Sequence, residues 1–390
     1  MMHVMLLAPG ISIHSQRFLQ MLLDAGHIVT LIDIQNPKPE GAERYTFIPY
    51  PSMLGLDRFR HLNKTRLIDW ISAVQLRLIW KRLHPDVVHV HWVDARAYAC
   101  ALARLHPLVL TCWGSDINHF FDSSIMSDRQ RQKTTQALLM ADHITADTNQ
   151  VLVRCETRAG RKLPTSLFYF GIDLAKFKAD YPNQAKALRA KLGISPSTKL
   201  VLSVRRPVPQ MGHHHILRAF ADALVGMNLD AVLVIKRYLV ETNEYEQELS
   251  QLATDLGIAR RVIWIEGVAN DEMLILYAAS DIIVNFPVYD GLPVSLFEAA
   301  ACKRPIVTAD LPGYREFLEK GAFIVVPPGD IAKLTDALKS VLRSNSHDLS
   351  SALETNYALV ARVADQKRCI SGMIDTYENL VSRAQDPKDR

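Results

Sequence analysis

The sequence predicts an α/β protein made of two Rossmann-like domains, each a doubly wound parallel sheet covered by helices. Three observations support this fold class. Short apolar runs rich in β-branched residues alternate with stretches of helical periodicity. The alternation restarts near residue 199, after a polar segment. The chain of 390 residues is also longer than one hydrophobic core usually serves.

The first domain is expected over residues 1–178. Between its first two strands, residues 14–25 place apolar residues such as Phe18 and Leu22 at helical spacing, and Gly26 suits the helix C-terminus. This is the pattern of a β-α-β unit with parallel strands. The predicted buried strands of this domain are residues 4–7, 28–32, 87–91 and 108–111.

The second domain is expected over residues 179–370. Residues 176–199 are polar and contain two prolines, which is typical of a segment that links domains. The strand pattern that follows is again interrupted by amphipathic helices. The predicted strands are residues 200–204, 231–235, 262–265, 282–286, 305–308 and 323–326.

Composition narrows the functional classes. The formal net charge of +4 is small, so we expect no nucleic-acid partner. The five cysteines are scattered and form no Cys-x-x-Cys pair, which argues against a disulfide framework and a zinc site. We expect no bound metal. No apolar run approaches the roughly 20 residues of a membrane span, and the first residues resemble a strand more than a signal peptide. We therefore expect a cytoplasmic protein, which can also contact the inner membrane surface.

The strongest functional pattern lies in residues 281–301, where a buried strand runs into a turn and then a helix. Asp290 and Gly291 form the turn and Leu292 follows it. Pro293 suits the first helical position, where its missing N–H needs no partner. A helix N-terminus at the end of a strand binds phosphate through its free N–H groups and the helix dipole. The segment therefore predicts a phosphate-binding turn.

Two carboxylates flank this turn. Glu298 lies little more than one turn into the helix, where it can reach the hydroxyls of a ribose. Asp290, on the preceding loop, can face a sugar beyond the phosphates. The alternative is that Asp290 only makes a turn and Glu298 is a solvated helix residue.

At these residues the sequence resembles glycosyltransferase family 4, a family of retaining enzymes with the GT-B fold. That family has two glutamates separated by seven residues; here Asp290 stands in place of the first, and Glu298 is the second. The resemblance extends over nearly the whole chain. It implies two Rossmann-like domains that face an interdomain cleft, and a C-terminal helix, residues 371–386, that packs back on the first domain. Further matching motifs are Ala299-Ala300-Ala301 with Lys303-Arg304-Pro305, Asp310-Leu311-Pro312-Gly313-Tyr314-Arg315-Glu316, and Gly171-Ile172-Asp173 with Phe177.

The resemblance also implies that cations in the loop of residues 205–212 bind the donor phosphates. Arg206 falls on the arginine of the family, but Met211 stands where the family has a lysine. Methionine cannot neutralise charge. Arg205, in place of the usual glycine, or the histidines at 213–215 can compensate, and the sequence does not choose between them. The alternative is a basic surface loop.

In the first domain, His89 and His91 resemble a His-x-His motif of the family at the inner sheet edge. We place His91 among the catalytic candidates; the alternative is a pair of packed histidines. Trp113 stands where many relatives have a histidine that hydrogen-bonds the donor sugar, and it is equally consistent with the core. Asp116, three residues on, is a further catalytic candidate that contacts acceptor or donor.

The turn after the first strand corresponds to a glycine-rich turn of the family, of which only Gly10 remains. We include Gly10 and His14 among the donor-binding candidates, because a backbone N–H and an imidazole there would face the cleft.

Residues 56–83 form a basic amphipathic stretch, with seven Lys or Arg against two Asp, interleaved with Leu, Ile and Trp. Such a stretch can lie on an anionic bilayer, which would suit a lipid-linked acceptor. The alternative is an ordinary helix whose apolar face packs on the sheet.

Together these features predict a retaining, metal-independent hexosyltransferase. Its donor is a nucleoside-diphosphate sugar, with a UDP-sugar favoured, and it needs no other cofactor. The acceptor is a hydroxyl of a glycan, a lipid-linked molecule or a small molecule, as in polysaccharide biosynthesis. Two alternatives remain: a GT-B sugar phosphorylase, and a nucleotide-sugar-binding partner of another transferase without activity of its own.

Overall fold

The chain divides into two compact units in its computed structural model. Unit 1 comprises Met1–Gly171 together with the C-terminal part from Gln366, and unit 2 comprises Ile172–Asp365. The chain thus leaves unit 1 seven residues before the boundary expected after residue 178. The described residues are 1–10, 12–33, 44–50, 66–122, 126–177, 181–225, 230–237, 244–267 and 272–385.

Unit 1 alternates strands and helices from its start. Its elements up to the domain boundary are β1 (His3–Leu7), α1 (Ile13–Asp24), β2 (Ile28–Asp33), β3 (Thr46–Pro49), α2 (Arg66–Leu83), β4 (Val87–His91), α3 (Ala95–Leu102), β5 (Leu108–Cys112), α4 (His119–Asp122), α5 (Asp128–Met140), β6 (His143–Ala146), α6 (Asn149–Ala159) and β7 (Thr165–Leu167).

The strands of unit 1 form a parallel sheet in the order β3-β2-β1-β4-β5-β6-β7. All residues of β4 and β5 are buried, because helices cover both faces of the central strands. The strand order reverses between β1 and β4. In such sheets ligands bind outside the carboxyl ends of the strands at this switch point, so the turn after β1 and the end of β4 are the expected site.

Unit 2 repeats the architecture. Its elements are α7 (Leu174–Phe177), α8 (Pro182–Lys191), β8 (Lys199–Ser203), α9 (His213–Leu224), β9 (Ala231–Lys236), α10 (Glu244–Asp255), β10 (Val262–Ile265), α11 (Met273–Ala279), β11 (Ile282–Asn285), α12 (Val294–Ala301), β12 (Ile306–Ala309), α13 (Pro312–Leu318), β13 (Ile324–Val326), α14 (Ile331–Arg343) and α15 (Ser346–Val363).

The parallel sheet of unit 2 has the order β10-β9-β8-β11-β12-β13. Its switch point lies between β8 and β11. The loop after β8 carries Arg205 and Arg206, and the loop after β11 carries Asp290. The topology therefore brings the predicted phosphate cations and the first carboxylate to one edge of one sheet.

The last helix, α16 (Gln366–Gln385), belongs to unit 1. It packs against α1, and the hydroxyl of Tyr377 lies 2.5 Å from Nδ1 of His89. Residues 386–390 lie outside the described residues.

The predicted strands match observed ones to within one residue at each end. Three short strands of unit 1, β3, β6 and β7, were not predicted, because their mixed composition lacks the apolar runs of the central strands. Pro293 occupies the N-cap of α12, one residue before the first helical position expected for it. Within the described ranges, no helix is both long and apolar enough to span a bilayer.

Candidate functional site

The site in unit 2 is built by two loops that hold each other. Val288 donates its backbone N–H to the carbonyl oxygen of Gln210 at 2.8 Å, and the hydroxyl of Tyr289 lies 2.8 Å from Oε1 of the same residue. Gly212, at φ +68°, closes the first loop, and a Cβ there would meet the carbonyl oxygen of Phe286 at 2.1 Å. Only glycine fits this close approach, so the two loops are locked at the switch point.

Asp290 is paired with Arg205 in this site. The guanidinium Nη2 lies 2.5 Å from Oδ2 of Asp290, and the two side chains expose only 20% and 15% of their surface. Tyr314, on α13, donates its hydroxyl to the same Oδ2 at 2.7 Å. Burial raises the pKa of Asp290, opposed by the positive charge of Arg205 and by this hydrogen bond. One carboxylate oxygen therefore accepts from both neighbours.

Arg205 also lies against Met211. Its Nε is 3.4 Å from the Met211 sulfur, and Met211 is 6% exposed. The guanidinium thus lies beside Met211, the residue that stands in place of the family lysine. Burial lowers the pKa of Arg205, but Asp290, Tyr314 and Tyr277 together outweigh it, and the net shift is upward.

Two of the three histidines offered as alternatives, His213 and His214, are hydrogen-bonded to other residues. His213 is buried with Nε2 at 3.1 Å from Oγ of Ser203, and burial lowers its pKa to about 3, so its ring is neutral. His214 is hydrogen-bonded to the hydroxyl of Tyr245 at 2.7 Å. Of the predicted substitutes for the lysine, the structure brings Arg205 to Met211.

Glu298 lies on α12 and is 6% exposed. Tyr277 donates its hydroxyl to Oε2 of Glu298 at 2.8 Å. Glu298 is thus a buried, positioned carboxylate, in contrast to the solvated residue of the alternative interpretation.

Lys236, which the sequence analysis missed, is a further cation of this edge. It is the last residue of β9, the strand beside β8. Burial lowers its pKa, the charge of Glu298 raises it, and the charge of Arg205 lowers it further, so the ammonium lies within electrostatic reach of both. A lysine at the carboxyl end of a predicted inner strand was the available signal.

The residues of the turn before α12 make the following contacts. Gly291 donates its backbone N–H to the Asp290 carboxylate, and Leu292 is buried beneath the turn. In the first turn of α12, the buried hydroxyl of Ser295 has no hydrogen-bond partner among the described residues. Arg206, by contrast, is exposed at the start of its loop.

The site in unit 1 is aromatic. The His14 ring lies 5.3 Å from Trp113 and 5.1 Å from Phe170, and Trp113 lies 5.8 Å from Phe170, all between ring centroids. The indole N–H of Trp113 is buried and has no hydrogen-bond partner among the described residues. Trp92, immediately after β4, has φ +70°, which is rare for a bulky residue and occurs at functional sites.

The two histidines of β4 differ in their hydrogen bonds. His89 is held on both sides, by Tyr377 and by Thr111, whose Oγ1 is 2.6 Å from Nε2, and burial lowers its pKa to about 3. His91 is equally buried, but within the described residues neither of its ring nitrogens has a hydrogen-bond partner. Its ring lies 4.6 Å from that of Phe18. His89 is therefore a packed histidine, whereas His91 has unused polar atoms.

Two predicted site residues of unit 1 hold loops. Asp116 is 1% exposed and accepts backbone N–H groups of Val93, Trp113 and Ile117 at 2.9–3.1 Å. Burial raises its pKa to about 6, against these hydrogen bonds. Gly10 donates its N–H to Oδ2 of Asp33 at 2.9 Å. Both residues shape the edge through backbone contacts.

Comparison with known proteins matches each half of the chain. The family model "Glycosyl transferases group 1" matches residues 184–357, and "Glycosyl transferase 4-like" matches residues 3–148. The GDP-mannose-dependent monoacylated alpha-(1-6)-phosphatidylinositol monomannoside mannosyltransferase of Corynebacterium glutamicum is 28% identical over 180 residues, which are 44% of this chain and 45% of that protein. The match thus spans less than half the length of this relative.

Two further relatives cover more of the chain. A glycosyltransferase of Methanocaldococcus jannaschii is 21% identical over 329 residues, 80% of this chain and 79% of its own. The crystal structure of Anabaena HepE in complex with UDP and glucose is 18% identical with a TM-score of 0.78, and covers 97% of this chain and 100% of that one. This likeness confirms the predicted fold class. The two family models together account for both units, and the chain belongs to the group 1, family 4-like glycosyltransferases of GT-B fold.

Proposed function

We propose that this chain is a retaining glycosyltransferase that moves a hexosyl unit from a nucleoside-diphosphate sugar to a hydroxyl acceptor. One observation carries the proposal. At the switch point of unit 2, the largely buried Arg205, the half-buried Lys236 and the buried Glu298 surround the turn before α12. Two cations suit a diphosphate, and a carboxylate beside them suits a ribose.

The phosphate site would combine side-chain charge with backbone donors. Arg205 supplies the guanidinium, Lys236 a second positive charge, and the N-terminal N–H groups of α12 a third contact. The unpartnered hydroxyl of Ser295 supports a ligand at this place, because a buried hydroxyl without a partner is unfavourable. Arg206, exposed on the same loop, remains a proposed phosphate contact.

In this proposal Asp290 acts through Arg205. Its Oδ2 already accepts from Arg205 and Tyr314. The ion pair fixes the guanidinium beside Met211, which stands in place of the family lysine. A direct contact of Asp290 with the sugar remains part of the proposal through its second oxygen. Glu298, fixed by Tyr277, binds the ribose hydroxyls.

The reaction follows from these roles. The bond between the anomeric carbon and the phosphate oxygen breaks, and the electron pair leaves with the nucleoside diphosphate. The acceptor oxygen forms its bond to the anomeric carbon on the face that the phosphate leaves. The acceptor proton moves to the departing phosphate oxygen. Arg205, Arg206 and the N–H groups of α12 stabilise the negative charge that develops there.

The aromatic edge of unit 1 would bind the acceptor and the sugar. The ring nitrogens of His91 and the indole N–H of Trp113 offer hydrogen bonds, and His14 lines the same cluster. Aromatic rings suit the apolar faces of sugars. Asp116 and Gly10 would position these groups through the loops they hold. A glycan, a small molecule or a lipid-linked molecule fits this chemistry. The Corynebacterium relative is a phosphatidylinositol monomannoside mannosyltransferase, which indicates a lipid-linked acceptor for that protein.

The donor base is tested by thermal shift. A ligand that binds the folded state alone stabilises it by mass action, by about 2.7 kcal/mol at a concentration one hundred times Kd. UDP-, GDP-, ADP- and TDP-sugars are compared side by side. We propose a UDP-sugar, supported by the UDP complex of HepE. A larger shift with a GDP-sugar would contradict the UDP-sugar and indicate a guanine nucleotide as the donor.

The mechanism is tested with Glu298→Ala and with the product. Loss of the ribose contact should raise the donor KM about tenfold to a hundredfold with a smaller effect on kcat, because a buried charged hydrogen bond contributes about 1.5–3 kcal/mol. NMR of the product should show the donor's anomeric configuration retained. An inverted product contradicts the mechanism, and unaltered kinetics of Glu298→Ala contradict the assignment of Glu298.

The two alternatives are not favoured by the comparisons, since the matched family models and relatives are glycosyltransferases. A sugar phosphorylase would release sugar phosphate without a nucleotide. A binding partner would bind nucleotide tightly without turnover. We propose an active enzyme, because Arg205 brings a positive charge to the side of Met211.

A further inference from the structure

Helix α2 exposes an apolar stripe. Leu67, Trp70, Val74 and Leu78 follow one another at intervals of three or four residues, which places them on one face of the helix. They expose 63%, 59%, 38% and 62% of their surface. A patch of four large apolar side chains on one face of a surface helix is unusual and marks an interaction surface.

The packed side of α2 contains apolar core residues, Ala73, Leu76 and Ile79, together with polar ones. Asp69, Ser72 and Gln75 are each 8% exposed. Asp69 lies 2.5 Å from Nζ of Lys133 and 3.3 Å from Nη2 of Arg129, which anchors the helix to α5. The helix therefore meets its own unit partly through polar groups, while the apolar stripe faces outward. The alternative of an ordinary helix with a packed apolar face describes Ala73, Leu76 and Ile79, but it does not account for the exposed stripe.

The charge beside the stripe is positive. Lys81 and Arg82, in the last turn of α2, are exposed. Asp69, the acidic residue of the described helix, is buried and paired with two cations. The predicted basic stretch begins at residue 56, but residues 56–65 lie outside the described residues, so the surface is defined by α2 alone.

We propose that the stripe of Leu67, Trp70, Val74 and Leu78 docks α2 in the plane of an anionic lipid bilayer. A tryptophan among leucines with lysine and arginine at its end has the chemistry of an interfacial helix, which buries its apolar face below the headgroups. Anionic headgroups supply the negative charge that the exposed side of α2 lacks. A second copy of the chain would bring the same cations to this surface and no complementary negative charge. The proposal rests on the proposed function only in that docking would bring a lipid-linked acceptor to unit 1.

The test is binding of the full chain to vesicles of phosphatidylcholine alone and of an equimolar mixture with phosphatidylglycerol. We expect binding to the mixture that weakens as salt rises. Trp70→Gln with Leu78→Gln should lower this binding at least about tenfold, since each exchange removes apolar area that docking would bury in the bilayer. Lys81→Gln with Arg82→Gln should lower it about fivefold per charge. Val153→Gln, on α6 and 58% exposed, is the matched control and should bind like the unaltered chain.

Three results would overturn the proposal: no binding to the mixed vesicles, equal binding by Trp70→Gln/Leu78→Gln, or a dimer in sedimentation that this variant abolishes. The last would assign the stripe to a second copy. Thermal shift with the donor and transfer to a water-soluble acceptor are measured on the same variants. Both should be unchanged, so a failure of docking is distinguished from a failure of the proposed activity.

Discussion

The carboxyl edges of the two sheets share a topology and differ in charge. In unit 1 the edge after β1 and β4 contains aromatic rings and histidines, of which His89 is neutral because burial lowers its pKa to about 3. In unit 2 the edge after β8 and β11 holds the Arg205–Asp290 ion pair, with Lys236 and Glu298 beside it. A charged diphosphate suits the second edge, and a sugar with hydroxyls and apolar faces suits the first.

The two units share the place where their loops converge and differ in the side chains that these loops carry. The parallel sheet fixes where loops converge, because the strand order reverses once in each sheet. The side chains on those loops then decide which part of a ligand can bind.

The largest effect is expected at the charged edge. Arg205→Met removes the guanidinium and leaves Asp290 buried without its cation, so kcat/KM for the donor should fall by about a hundredfold to a thousandfold. Steady-state kinetics measure it. Arg261→Met, which removes an arginine paired with Asp230 at the opposite end of the sheet, is the control and should stay near the unaltered rate.

A double exchange sharpens this prediction. Arg205→Gly with Met211→Lys moves the positive charge from one side of a 3.4 Å contact to the other. It should recover most of the activity that Arg205→Gly loses. If the double variant is as inactive as Arg205→Gly, a positive charge at position 211 does not replace the role of Arg205.

The second prediction contrasts two histidines on one strand. His91→Phe should lower kcat/KM about tenfold to a hundredfold with little change in Tm, because its ring nitrogens are unused in the protein. His89→Phe should instead lower the free energy of unfolding by about 1–3 kcal/mol, because it removes the hydrogen bonds of the ring to the buried hydroxyls of Tyr377 and Thr111. Kinetics and urea unfolding of both variants separate the roles. The reverse pattern would place His89 in the site.

The third prediction concerns pH. Burial lowers the folded-state pKa of His89 and of His213 to about 3, below the ordinary value of 6.5. The two neutral rings therefore do not reduce the free energy of unfolding above pH 6.5. As the pH falls from 6.5 toward 3, the unfolded chain binds protons that the folded rings do not, and the free energy of unfolding decreases. At a pH of about 5 each histidine should reduce the free energy of unfolding by about 2 kcal/mol.

Urea unfolding at neutral pH and at a pH of about 5 measures this loss. His213→Gln should remove about half of the loss due to the two rings, since glutamine does not titrate. An equal loss in this variant would show that His213 is not responsible. Because His89 lies in unit 1 and His213 in unit 2, both units should lose stability in acid.

The smallest effect is expected from Tyr277→Phe. It removes the hydroxyl that donates to Glu298 and keeps the ring, so the donor KM should rise about fivefold with kcat unchanged. Steady-state kinetics at saturating acceptor measure it. A fall in kcat alone would mean that Glu298 acts on the transition state and not on donor binding.

Much of the fold was predictable from sequence, because the inner strands of parallel sheets are continuous apolar runs. β4 and β5 are buried on both faces, and their patterns identify them directly. The edge strand β3 is half-exposed and β7 has three residues, so neither leaves such a pattern. The turn from Asp290 to Glu298 was recognisable because strand, turn and helix follow each other within one segment.

The roles within the site were less predictable, since they depend on residues far apart in sequence. Arg205 and Asp290 are separated by 85 positions, and nothing local indicates that they pair. His89 and His91 look alike in sequence, yet Tyr377 fixes only the first, from 288 positions away. Lys236 was overlooked because a single lysine after an apolar run is not a motif.

The fold class, the family and the turn at which the donor phosphate is proposed to bind could be predicted from the sequence, because they depend on local periodicity and on short motifs. Tertiary structure alone decided which cation stands beside Met211, which histidine keeps free ring nitrogens, and which side of α2 faces outward. These outcomes depend on distance, burial and hydrogen-bond partners across elements, and such properties exist only after the chain has packed.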